Sequence, residues 1–295
     1  MDLKNMNYAF YREYLMAAYS GRQDAKTLNR ELLDIVNSDQ SPRSAKDEIL
    51  RYGQEQCGIL SHLKDHANGS GNTVLFQECF KTTYPGTLIG SGYPHITGKM
   101  KGEIQNGFCL DHIFGSPYYP GSSLKGVLED PFQRALYGRN AERTGYMDYV
   151  LQLVRSVTGR EPVTAETVRL IWKQSFQGEK PGGENESMRD RDVFFDAYVT
   201  KADRSAYNRR GDILGLDNIT PHEKLQEPVP VTVLRLMPDV GLTFTMLLHD
   251  VKNPEGGILI SAAEKAEIFT AIIEDMGIGS KTNLGYGVLK RERTK

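Results

Sequence analysis

The hydrophobic period of this chain changes near residue 73, and that change limits what the chain can fold into. Before it, apolar side chains recur at helical spacing: Tyr8, Tyr11, Leu15, Ala18 and Tyr19, then Leu28, Leu32, Ile35 and Val36, then Ile49, Tyr52, Leu60 and Leu63. Ser41-Pro42 predicts a helix start, with serine as cap and proline in the first turn. NGSGN (68–72) breaks the pattern, so residues 1–70 read as an N-terminal helical extension and 71–295 as the main unit.

After the break the period is two. TVLFQECFKTT (73–83) places Val74, Phe76, Glu78 and Phe80 on one face of a strand. Leu124, Val127 and Leu128 predict a helix capped by Ser122 or Ser123, with Asp130-Pro131 restarting it. Tyr149, Leu153, Val154 and Val157, then Val168, Ile171 and Trp172, predict a helical insertion over about 140–190. GEKPGGENES (178–187) reads as a loop within it. Strands are expected at 193–199, 229–237 and 242–249, the last two joined as a hairpin through PDVG (238–241). Ser261 with Glu264 is a capping box. It opens a helix with Ile268, Phe269, Ile272 and Ile273 inward, stopped by Gly277 before a short strand near 286–290. Strand, helix, strand, strand, helix, strand is the α+β, ferredoxin-like order.

With 39% hydrophobic and 25% charged residues, a disordered chain is excluded. The net charge of −2 excludes binding to nucleic acid by bulk charge, so any such site must come from local segregation. No run approaches the ~20 apolar residues of a membrane helix, so no membrane partner is expected. The first ten residues lack a basic start with an apolar stretch, and Cys57, Cys79 and Cys109 form no CxxC pair. A cytoplasmic protein with reduced thiols is the expectation.

Acidic residues avoid three glycine-rich windows: between Glu78 and Glu103, between Asp111 and Glu129, and between Asp275 and Glu292. Even spreading of the 38 acids would place about seven there. Lys81, Lys99, Lys101, Lys125, Lys281, Lys290 and Arg291 sit there instead. Glycine lets backbone N–H groups approach an anion, and the second window opens a helix, whose N-terminus favours phosphate. The same composition also suits ordinary turns of an α+β domain. GIGSKTNLGYG (277–287) is not a P-loop: Ser280 stands where glycine should precede Lys281, and the segment follows a helix and enters a strand.

Other chemistry-bearing groups are sparse. His62 and His66 in HLKDH lack the glutamate of HExxH, and a solvated helix face accounts for them. Asp111-His112 and His222-Glu223 offer acid–base chemistry only with a partner from elsewhere, and His95 and His249 stand alone. Arg189, Arg191, Arg204, Arg209 and Arg210 cluster with Tyr198 and Tyr207, as RNA recognition would use. Interleaved Asp190, Asp192, Asp196 and Asp203 fit a salt-bridged surface equally, except in the acid-free YNRRG (207–211).

SPYYPGSSLKGVLE (116–129) resembles the YIPGSSLKGALR element of the RAMP superfamily of CRISPR-associated proteins. GIGSKTNLGYGVL (277–289) is similar to its C-terminal glycine-rich loop, and TTYPGTLIGSG (82–92) to the turn after its first strand. The helical extension, the insertion and PVPVTVLRLMP (228–238) most resemble the sixth-subunit family of type III-B (Cmr) effectors. The resemblance implies an RRM-like core and a CRISPR RNA-binding backbone subunit that caps the filament near the 3′ end of the guide. Its implied partners are CRISPR RNA, target RNA and neighbouring RAMP subunits, with no cofactor and no metal. The superfamily's target-cleaving subunit carries an aspartate in the loop after its first strand. Residues 84–102 contain no acid, so no catalytic residue is expected.

The residues expected to contact RNA are Lys81, Gly90, Gly92, Tyr93, His95, Lys99, Gly121, Ser122, Ser123 and Lys125, then Arg209 and Arg210, then Gly279, Ser280, Lys281, Thr282, Asn283, Gly285 and Tyr286. Two alternatives stay open: a metal-independent guide-processing endoribonuclease using His95 or His112 with Lys281, and a ferredoxin-like protein-binding module.

Overall fold

A computed structural model describes residues 5–21, 23–38, 44–64, 73–92, 97–98, 100–220 and 230–292. The helical N-terminal region comprises α1, built from Met6–Tyr8, π-helical Ala9–Tyr14 and Leu15–Ser20, followed by α2 (Ala25–Asn37) and α3 (Ala45–Ser61). Ser41 and Pro42 lie outside the described residues, as does the 68–72 break. The cap that α3 uses is Ser44, whose side chain accepts from the Asp47 amide.

The main sheet is built from β1 (Thr73–Thr82), β2 (Tyr118–Tyr119), β3 (Val193–Phe194), β4 (Ala197–Ala202), β7 (Val240–His249) and β10 (Leu289–Arg291). Its order is β10-β1-β7-β4-β2, with β3 also on β7, and all its pairings are antiparallel. Helix α4 (Gly121–Tyr137) follows β1, and α7 (Ala262–Met276) follows β7. The short strands β8 (Val251–Lys252) and β9 (Ile258–Ile260) pair with each other between β7 and α7. The four long-range strands therefore run fourth, first, third, second across the sheet, the ferredoxin-like arrangement. Phe76 and Phe80 face the helices, as the two-residue period predicts, and Phe80 meets Phe244 edge-on at 5.4 Å. Phe132, Phe176, Phe194 and Phe269 extend this aromatic core, with Phe176 5.6 Å from Phe269 and 5.7 Å from Phe132. The insertion supplies α5 (Asn140–Thr158) and α6 (Ala165–Trp172), both packed on α4.

Three local readings need correction. The segment before β7 does not form a hairpin with it. That segment is β6 (Val231–Leu236), and it pairs with β5 (Leu214–Ile219) in a separate two-stranded ribbon. Both edges of β7 are occupied, one by β1 and the other by β4 and β3. Ser122 and Ser123 do not cap α4: Pro120 occupies the cap position, and the Gly121 amide donates to Asp196 Oδ1 at 2.7 Å. Nor does α4 restart at Asp130-Pro131; it runs through Pro131 without a break. The capping box at Ser261 and Glu264 and the stop at Gly277 form as expected.

Buried amides complete the ribbon's free edges. Asn37 accepts from the Ile213 amide and donates to Leu214 O, both at 2.9 Å. Asn106 does the same for Leu234, at 2.7 and 2.8 Å. Each satisfies backbone groups that would otherwise be buried unpaired. Tyr11 and Tyr14 fasten α1 to the segment before β2 in the same way. The Tyr14 hydroxyl accepts from Ile104 N at 2.8 Å, and the Tyr11 hydroxyl accepts from Phe108 N at 2.7 Å. Phe10 and Tyr14 are buried, and they share one continuous core with the sheet and its helices; Tyr8 and Tyr19 remain exposed.

The face of the sheet away from α4 and α7 is covered by α3. Gly53 makes this possible, since a β-carbon there would overlap the Val199 carbonyl. Gln54 donates to Thr200 O at 3.0 Å, and Gln77 donates to Cys57 O at 2.9 Å. Gly53→Ala should force helix and sheet apart and cost about 1–3 kcal/mol, read as a lowered urea midpoint.

The edge strand β10 has only three residues, and ion pairs extend its hold. Arg291 bridges Glu78 and Glu267 at 2.9 and 2.8 Å, while Glu292 meets Lys81 at 2.9 Å and Lys201 at 2.6 Å. The lysine hydrogen bonds, Lys201's first, pull the Glu292 carboxyl down from its ordinary 4.5 to about 2. A depressed carboxyl contributes stability above its unfolded value and loses it as pH falls through the folded one. Glu292→Gln should therefore flatten the loss of stability between pH 4.5 and about 2. The difference should stay within the ~1 kcal/mol of a partly exposed pair. Parallel pH–stability curves for the two proteins would contradict this.

Candidate nucleic-acid interface

The glycine-rich loop begins where α7 ends at Gly277, with φ +69° and its amide bonded to Ile273 O at 3.0 Å. Backbone hydrogen bonds hold the inner half of the loop. Ile278 N donates to Gly287 O at 2.9 Å, Gly287 N to Gly86 O at 2.8 Å, and Ser280 N to Leu88 O at 3.1 Å. A β-carbon at Gly279 would overlap the Leu88 carbonyl, and one at Gly287 would overlap that of Ile278. The first and third acid-free windows therefore press against each other, and Ser91 Oγ donates to Ser280 Oγ at 2.7 Å. On the same side, Gly90 packs against Cys109, while Gly92 is exposed.

The second window reaches this loop through Tyr119. Its buried phenol is pushed up to about 12, chiefly by burial, and a hydrogen bond from the Gly279 backbone opposes that rise. Two residues on, Gly121 packs so closely on Phe194 O that a β-carbon would overlap it. Ser122 and Ser123 are exposed. Asp196 already places a carboxylate at this helix N-terminus, so its amides are less open to phosphate than the sequence alone implies.

The loop's outer turn is built differently. Lys281 takes a left-handed conformation, φ +62°, and leads into the 3₁₀ turn Thr282–Leu284. The amides of Leu284 and Gly285 bond back to Lys281 O and Thr282 O. Those of residues 281–283 have no partner among the described residues, and the side chains of Lys281, Thr282 and Asn283 are exposed. Lys281 has no ion-pair partner among the described residues. Consecutive free amides beside an uncompensated ammonium make a concentrated anion-attracting surface. Gly285 (φ +88°) closes the turn, and the buried Tyr286 donates its hydroxyl to Asp217 Oδ2 at 2.8 Å.

Other residues expected at the interface have their charge committed elsewhere. Lys81 is held between Asp203 and Glu292, at 2.7 and 2.9 Å. Lys125 donates to Phe176 O at 2.7 Å, satisfying a carbonyl of the π-helical turn after α6. Arg210 pairs with Asp212 at 2.9 Å. Arg209 is exposed and lacks an ion-pair partner among the described residues. Tyr93, His95 and Lys99 lie outside the described residues, as do His66, His222 and Glu223. His112 is exposed, and the neighbouring Asp111 carboxylate accepts from the Ile113 and Phe114 amides instead of orienting the imidazole. Among the described residues, no group of three or more His, Cys, Asp or Glu is placed to hold a metal ion, and no helix is long and apolar enough to cross a membrane.

Sequence reasoning missed Tyr119, which ties the second window to the loop, and Asp196, which serves α4 from 75 residues away. It also missed the exposed Tyr84, although TTYPG displays it. Tyr84 and Tyr119 both carry a local signal, each as the aromatic of a Tyr-Pro-Gly tripeptide, whereas Asp196 has none.

No curated protein matches this chain significantly. One solved structure it is similar to is a type III-B Cmr-β complex bound to cognate target RNA, determined by cryo-EM. The likeness is 16% identity over 99% of this chain and 89% of that one, with a TM-score of 0.49. Another is crystalline Cmr6 from Pyrococcus furiosus, at 18% identity over 75% of this chain and 98% of that one, TM-score 0.44. Both scores fall below 0.5, so the assignment rests on the family comparison and the observed topology. The family model of the RAMP superfamily matches residues 79–290, from the middle of β1 into β10. That span contains the ferredoxin-like core and the glycine-rich loop, and the chain belongs to the RAMP superfamily.

Proposed function

We propose that this chain is a non-catalytic, CRISPR RNA-binding backbone subunit of a type III-B (Cmr) effector, capping the filament near the 3′ end of the guide. The observation that carries this reading is the outer turn of the glycine-rich loop. Amides at 281–283 and a Lys281 ammonium, all without a partner among the described residues, follow directly on Gly279 and Ser280, where the three acid-free windows meet. Such a surface suits a phosphate backbone and reads no sequence, as a subunit holding many different guides requires. Superfamily membership supports an effector role, and the sixth-subunit resemblance supports the Cmr placement. In this reading residues 71–295 are the superfamily unit and 1–70 an extension packed on it. Gly90, Gly92, Gly121, Ser122, Ser123, Gly279, Ser280 and Lys281 line or support the RNA path, joined by Thr282, Asn283, Gly285 and Arg209.

Lys281→Ala should weaken RNA binding for all sequences alike and reduce the slope of log affinity against log salt by about one phosphate contact. An unchanged slope would remove Lys281 from the interface. Incubated with repeat RNA or a guide–target duplex, with or without divalent metal, the protein should leave both strands intact on a denaturing gel. Cleavage that disappears in His95→Ala or His112→Ala would overturn the non-catalytic assignment and favour an endoribonuclease.

A further inference from the structure

We propose that Tyr84 and Tyr207 form a nucleobase-stacking platform beside the glycine-rich loop, receiving one unpaired base of the bound RNA; this rests on the RNA-binding reading above. The two rings are 65% and 64% exposed, yet they touch, with centroids 5.1 Å apart and planes tilted by 40°. Each projects from a turn fixed by its backbone. Beside Tyr84, the Gly86 amide donates to Thr83 O at 2.7 Å, and the Thr83 amide and hydroxyl both donate to Val288 O at 3.0 Å. Beside Tyr207, the amides of Tyr207 and Asn208 donate to Ser205 Oγ at 3.1 and 3.0 Å. The buried Asn208 side chain then donates to Asp212 O and Pro238 O, at 2.8 and 2.9 Å. Rings held open to water by rigid turns add little to the core, but they are pre-organised for a flat partner.

The geometry sets how a base would bind. Inserting a ring between two others needs a separation of roughly 7 Å, twice the contact distance, so there is no room between this pair. A base must lie on an outer face. The surroundings favour a nucleic acid over a protein partner. Arg209, two residues beyond Tyr207, carries a positive charge with no ion-pair partner among the described residues. The tyrosine turn also abuts the loop that carries Lys281, since a β-carbon at Gly285 would stand 3.7 Å from Pro85 Cδ. Cations flanking a stacking surface match how single strands are held through phosphates and π-faces together.

The test is photocrosslinking of the full chain to single-stranded RNA containing 5-iodouridine, with adducts mapped by mass spectrometry. Adducts are expected at Tyr84 or Tyr207. The double variant Tyr84→Ala/Tyr207→Ala should lose them and bind RNA about 5- to 100-fold more weakly. Its affinity for an abasic strand should match wild type. Tyr84→Phe/Tyr207→Phe keeps the rings and should retain affinity, which separates stacking from misfolding of the alanine variant. Adducts confined to other residues, or full affinity in the alanine variant, would overturn the platform while leaving RNA binding intact. Full RNA affinity with lost subunit assembly would reassign the patch to protein contact. Absence of RNA binding by the wild-type chain would remove both readings.

Discussion

Gly279 and Gly287 let the loop after α7 press backbone directly against the carbonyls of Leu88 and Ile278, at separations no β-carbon allows. The architecture of this end follows from that contact. It joins the turn after β1 to the turn before β10, the two strands that lie side by side in the sheet. Tyr119 then brings the start of α4 against the same loop. Because the inner half of the loop is fixed by backbone hydrogen bonds, its outer half can leave amides and a lysine facing solvent without loss of order.

The covered sheet explains why binding would concentrate at this end. In RRM-like folds the open sheet face offers aromatic rings to unstacked bases. Here that face carries Gln77, Cys79, Thr200, Thr243 and Thr245, and α3 lies across it through the gap left by Gly53. Thr200 and Thr243 share a hydrogen bond of 2.8 Å, and Gln77 serves both Thr245 and Cys57. The N-terminal helices thus occupy a surface that other folds of this order use for ligand. The exposed chemistry is left to the loops.

Legibility in the sequence followed the range of the interactions involved. The α7 capping box, the strand period of β1 and the stop at Gly277 are encoded within a few residues, and each formed where its signal lay. The ribbon partner β5 was invisible because LGLDNI carries Gly215, Asp217 and Asn218, poor strand formers. Its edge is completed by Asn37, some 177 residues away, in a bond no local pattern announces. At the site, the common character of the three glycine-rich windows was legible in their shared lack of acids, whereas their meeting was not. Nor was the fate of Lys81 and Lys125: a lysine in an acid-free window can still reach a distant carboxylate or carbonyl. Lys81 reaches Asp203 and Lys125 reaches Phe176 O.

The central claim is that the outer turn of the glycine-rich loop is where RNA phosphates meet this chain. Amide hydrogen–deuterium exchange, with and without repeat-derived RNA, reads those backbone groups directly. The account predicts slowed exchange at residues 281–283 on RNA addition, with little change at amides already bonded within the loop, such as Ile278 and Gly287. Unchanged exchange at 281–283, with RNA-dependent protection appearing elsewhere in the chain, would contradict it.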